Sequence, residues 1–138
     1  MPRISIELPL PPRECSPNWR GHTKARARAV ARYRGDCLIL YRQARIPALQ
    51  TPITLQLEYF LARPKTFADR YMASSLYFPL DDDDAIGGFK AGRDALIDAR
   101  IIPNDSRKHV RLAPVIWHTT APDHQDRRCV VVHMEPAA

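Results

Sequence analysis

Four consecutive aspartates, Asp81 to Asp84, stand in the stretch PLDDDDAIGGFKAGRDALIDARIIPNDS, and a further one, Asp105, lies just past the helical segment that follows them. One or two carboxylates at a helix start cap its orphan amides and suit the positive end of its dipole. Four neighbouring carboxylates repel one another, and a divalent cation would neutralise that repulsion and gather the oxygens. An EF-hand calcium loop is excluded, because the run lacks the D-x-D-x-D spacing, the glycine at its sixth position and a closing glutamate. Magnesium in a phosphoryl-transfer site suits the run better, since it takes oxygens from one or two carboxylates and keeps positions for water and substrate phosphate.

The spacing supports that chemistry. Asp81 and Asp83 are two apart, so an extended entry segment points both side chains the same way, while Lys90 and Asp94 share a face of the following helix. Nucleases that hydrolyse DNA phosphodiesters hold two metals roughly 3.5–4 Å apart between several carboxylates. Asp105, beyond the helix, is the candidate third ligand.

A second pattern is basic. The chain has 21 Lys+Arg against 15 Asp+Glu, a formal net charge of +6, and four of its acids sit in one run, so the rest of the surface is more positive than the total. A polyanion rich in phosphate is the partner this implies. Arg20, Lys24, Arg28 and Arg32 step by four and form one stripe if the helix carrying them begins early enough, with Arg26 and Arg34 beside it. Charged residues are the default solvated face of a helix. Here only Glu14 and Asp36 stand among them between Leu8 and Ile46, and an unpaired field of one sign favours nucleic acid. The stretch ARPKTFADRYMASSLYFPL interleaves Arg63, Lys65 and Arg70 with Phe67, Tyr71 and Tyr77, a mixture suited to phosphate contacts and base stacking.

The elements that must position these residues follow from periodicity. The 138 residues make a single domain, 1–138, large enough for one core. ISIELPL alternates with period two and predicts a strand over Ile4–Leu8. Thr23 to Arg45 predicts a helix with apolar Val30, Tyr33, Cys37, Leu40 and Ala44, Thr23 as N-cap and Pro47 as stop. TPITLQLEYFLA is a longer strand with Ile53, Leu55, Leu57, Tyr59 and Leu61 on one face, and VRLAPVIWHTT and RRCVVVHME supply two more. The order β-α-β-α-β-β predicts an α+β fold, a single mixed sheet backed by two helices.

Three widely spaced cysteines without a C-x-x-C pair read as free, buried thiols, and five scattered histidines read as surface or strand residues. No apolar run approaches the roughly twenty residues of a membrane span, and the first residues lack a signal-peptide pattern. A cytoplasmic protein without a membrane partner is the expectation.

These residues resemble the RusA-like Holliday junction resolvases, a family of small endodeoxyribonucleases common in prophages. The likeness runs from LPLPPRECSPNWR, similar to the family's opening strand, Pro-Pro turn and Asn-containing loop, through DDDD in place of D-x-D-N, to KAGRDALIDARIIPNDS with its K, D-x-L and late D-S. Asp84 stands where the family usually has asparagine, and Gly87 where many members carry lysine. The resemblance implies that Asp81, Asp83 and Asp105 bind Mg²⁺, with Mn²⁺ able to substitute, and that Lys90 is the catalytic lysine. It implies paired symmetric nicks in four-way junction DNA, made by a homodimer with two active sites. A non-catalytic module that binds branched or single-stranded DNA is the alternative, with the acids merely capping a helix. An RNA-binding protein explains the charge but leaves the aspartates without a role.

Replacing Lys24, Arg28 and Arg32 together by alanine is expected to flatten the salt dependence of junction binding by up to about 2.7 in log K against log[salt], at about 0.9 per phosphate contact. Cleavage at saturating protein should persist. An unchanged slope, measured by fluorescence anisotropy, would make the stripe an ordinary solvated face.

Overall fold

Five alternate side chains of one strand set the architecture. Ile53, Leu55, Leu57, Tyr59 and Leu61 are all buried on one face of β2, Ile53–Leu61, as period two requires. The computed structural model describes residues 2–61, 79, 81–118 and 127–137. Arg63, Lys65 and Arg70, with Phe67, Tyr71 and Tyr77, lie outside the described residues.

The chain runs β1 (Ile4–Pro9), a 3-10 turn (Arg13–Cys15), α1 (Thr23–Gln43), β2, α2 (Asp82–Gly88), α3 (Lys90–Asp98), β3 (Val110–Leu112), β4 (Ile116–His118) and β5 (Arg128–Pro136). β5 lies antiparallel between β1 and β2, and β3 and β4 run parallel to β2 along its other edge. The fold is α+β on a single mixed sheet, as the sequence pattern predicts. Two details differ. The expected second helix is broken at Phe89 into α2 and α3, and VRLAPVIWHTT forms two short strands with Pro114 between them, because proline has no N–H for a ladder.

The helices cover the face of the sheet that carries the alternating apolar residues. Val130, Val132 and Met134 of β5 join Leu55, Leu57 and Tyr59 of β2 beneath Tyr33, Tyr41, Phe89, Ala95 and Leu96. Three tyrosine hydroxyls fix this layer by donating to backbone carbonyls: Tyr33 to Pro9, Tyr41 to Gly92 and Tyr59 to Ala85, at 2.6, 2.9 and 2.9 Å. Each satisfies a group that burial would otherwise leave unpaired. Cys15, Cys37 and Cys129 are free and buried, as expected; removal from water pushes the Cys37 thiol up to about 12 and those of Cys15 and Cys129 to about 11.

α1 begins at Thr23, but the cap is His22, whose ring Nδ1 accepts from the Lys24 amide at 3.2 Å. The helix ends at Gln43, short of Arg45, which turns left-handed at φ 55 and stops it before Pro47 is reached. Arg100 does the same beyond α3, at φ 60. Glycine is the usual residue at such a position, so these stops carry no sequence signal.

The junction of α2 and α3 depends on a missing side chain. A Cβ on Gly92 would lie 2.3 Å from the ring of Phe89, which is fully buried. Gly92→Ala gains helix propensity of about 1 kcal/mol but overpacks the core, at a typical cost of about 1–3 kcal/mol. A net loss on the order of 1 kcal/mol is expected in urea unfolding; a more stable variant would show that Phe89 has room to move.

Candidate functional site

α2 and α3 carry the residues singled out for chemistry, and each aspartate of the run has a different duty. Asp81 is the N-cap of α2, in extended backbone, and its Oδ1 accepts from the Asp84 amide at 2.8 Å. Asp82 accepts from Trp117 Nε1 at 2.8 Å and from the Val115 amide at 3.3 Å, holding β4 and the residue before it to α2. Trp117 in turn stacks on Tyr59, with ring centroids 5.7 Å apart. Asp84 is buried and accepts from Ser16 Oγ at 3.3 Å. Asp83 is exposed and has no hydrogen bond among the described residues.

This arrangement corrects one expectation. Asp81 and Asp83 do not lie side by side on an extended segment, because Asp83 is already inside the first turn of α2. Successive residues of a helix point about 100° apart, so the carboxylates diverge and their mutual repulsion is weaker than the sequence suggests. The loop after the 3-10 turn packs on α2 at Asp84 and Gly87. Ser16 donates to Asp84, and a Cβ on Gly87 would lie 2.6 Å from Pro17. The missing side chain of Gly87 lets the loop after the 3-10 turn settle directly on α2.

Lys90 opens α3 and reaches both later acids, Asp105 at 2.5 Å and Asp94 at 3.0 Å. The Asp94 contact follows from their i, i+4 spacing; the Asp105 contact closes a loop of 15 positions. The hydrogen bond from Lys90 holds the Asp105 carboxyl below its usual range, and the same bond raises the Lys90 ammonium. Arg93 Nη1 lies 3.9 Å from the same Asp105 oxygen.

A magnesium ion needs hard oxygen donors, often only one or two carboxylates. Asp83 offers both oxygens, Asp81 its second, and Asp105 the oxygen not facing Lys90. The donor types suit the ion. Among the described residues, however, no three acidic, histidine or cysteine side chains form one metal-binding group.

The basic stripe is shorter than expected. Arg20 precedes the helix, leaving Lys24, Arg28 and Arg32 exposed along α1. Arg28 and Arg32 line a groove of about 610 Å³ in which Glu14 and Asp36 also stand. Arg34 is structural: its guanidinium grips Asp98 of α3 through two hydrogen bonds of 2.6 and 2.7 Å.

The opposite face of the sheet holds a constellation that sequence reading missed. Glu58 of β2 pairs with His118 of β4 at 2.7 Å and His133 of β5 at 2.8 Å, and His133 Nδ1 meets Ser5 Oγ of β1 at 2.6 Å. The histidines are 15 apart in sequence and join only because β4 and β5 flank β2; their outward registers in the strands were the one available signal. Burial pushes Glu58 up, but the bonds from His118 and His133 outweigh it and leave its pKa below the ordinary 4.5. A depressed carboxylate adds stability above the unfolded pKa and loses it as pH falls through the folded value. The native protein should therefore lose part of its stability on acidification below about pH 4.5. Glu58→Gln should lack that component in urea melts; an identical pH profile would remove Glu58 as its source.

No helix among the described residues is long and apolar enough to cross a membrane. No family model matches the chain. It is similar to an uncharacterised protein of Xylella fastidiosa (strain Temecula1 / ATCC 700964), with 31% identity over 106 residues, 77% of this chain. The match spans 62% of that relative's length, and the relative brings no activity to this chain.

Proposed function

We propose that the chain is a magnesium-dependent endodeoxyribonuclease of the RusA-like type, which resolves four-way DNA junctions by paired nicks as a homodimer. The observation that carries this reading is the contact between Lys90 and Asp105 at 2.5 Å, one short helix away from Asp81 and Asp83. It brings together a cation and an acid that the resemblance names for one site and that are far apart in sequence. The surplus of basic side chains supplies the affinity for phosphate that such a substrate needs.

In this reading Asp81, Asp83 and Asp105 would hold the metal, Mg²⁺ or Mn²⁺, which when bound supplies an activated water and neutralises charge at the phosphate. Lys90, an ammonium held beside Asp105, offers positive charge to the oxyanion that develops as the phosphodiester breaks. Lys24, Arg28 and Arg32 position the DNA backbone without entering the chemistry. A non-catalytic branched-DNA-binding module is the second reading. It is favoured by the structural duties of Asp82 and Asp84, which answer for part of the acid run without a metal.

A labelled four-way junction incubated with and without Mg²⁺ separates the two. Asp83→Asn and Asp105→Asn should abolish nicking while junction binding is kept or tightened, since each removes a charge that repels phosphate. Asp81→Asn should do the same without loss of stability, because asparagine caps a helix as well as aspartate. Asp84→Asn should be tolerated. Full activity in any of the first three removes that residue from the site, and loss of activity in Asp84→Asn makes Asp84 a ligand.

A further inference from the structure

The N-terminal half of α3, the turn after Asp105 and β3 enclose a second feature. A cleft of about 790 Å³ is lined by Arg93, Asp105, Arg107, Lys108 and Arg111, so four cations face one carboxylate. That carboxylate is already matched by Lys90, and the field of the cleft is strongly positive. Arg107 and Lys108 are exposed, with no ion pair among the described residues.

Arg93 differs from an ordinary surface cation. Its side chain is only 14% exposed, and its Nε is buried with no hydrogen-bond partner among the described residues. The neighbouring Asp105 oxygen, 3.9 Å from Nη1, is too distant for a hydrogen bond. A buried donor left unpaired costs about 1–3 kcal/mol, and a guanidinium in that state is suited to an acceptor brought from outside.

We infer that this cleft is a phosphodiester-binding subsite, which takes the backbone of the DNA strand as it leaves the candidate nuclease site. The cations come from three places, α3, the turn and β3, and line a space larger than one phosphate needs, as a tracked backbone requires. Asp105 belongs to both site and cleft, so the strand passes from one to the other. The inference rests on the nuclease reading for the identity of its ligand as DNA.

The test is binding of a fluorescent four-way junction by the full chain in EDTA, over a range of KCl concentrations. Arg107→Ala/Lys108→Ala should flatten the slope of log K against log[salt] by about 1.8, for two contacts of about 0.9 each, with an unchanged thermal melt. Arg93→Met should weaken binding without lowering the melt; a lower melt with unchanged binding would make Arg93 structural and count against the cleft. An unchanged slope in the double variant overturns the inference, and if the wild-type chain still nicks with Mg²⁺ the nuclease reading survives it. A flattened slope in a protein that never nicks keeps the cleft and removes the nuclease. A wild-type chain that does not bind the junction removes both.

Discussion

The seating of α2 and α3 on β2 is the constraint from which the rest follows. Phe89, at the break between the two helices, is fully buried, and the Tyr59 hydroxyl donates to Ala85 from directly beneath it in the sheet. Gly92 gives the Phe89 ring its space and presents its carbonyl to Tyr41 of α1. Were this packing to shift, Lys90 would lose Asp105, Asp82 would lose Trp117, and the acid run would be a helix start pointing into solvent.

Within that frame the acids divide. A metal is one way to relieve crowded carboxylates, and a protein can also disperse them around a helix and give each its own donor. Asp82 and Asp84 follow the second course, tied to β4 and to the loop after the 3-10 turn. Asp83 is exposed at the start of α2, and Asp105 keeps one oxygen clear of Lys90. The nuclease proposal therefore draws on fewer residues than the DDDD run first suggests, and its weight falls on Asp81, Asp83 and Asp105.

The sheet was legible because β1 and most of β2 alternate in burial along the strand, while the apolar run of β5, buried at four consecutive positions, reads as a strand from its β-branched residues. α1 was legible along its length but not at its end, since Arg45 adopts a backbone that glycine normally marks. The break at Phe89 was hidden because a buried aromatic does not interrupt helical periodicity. Arg34 looked like one more unpaired cation, and only the approach of α3 shows that Asp98 claims it. Lys90 with Asp94 was readable from spacing, whereas Arg93 and the Glu58 cluster depend on which strands become neighbours. Local chemistry could be read from the chain, and pairings across elements could not.

The central claim is that Asp81, Asp83 and Asp105 bind one hard divalent ion beside Lys90. Mn²⁺ titrated into isotopically labelled protein, followed by amide NMR, tests it most directly. The account predicts paramagnetic loss of signal centred on residues 81–84 and 105, relieved by excess Mg²⁺ and absent in Asp83→Asn/Asp105→Asn. Loss centred on His118 and His133, or a uniform effect across the surface that spares Asp105, would contradict it.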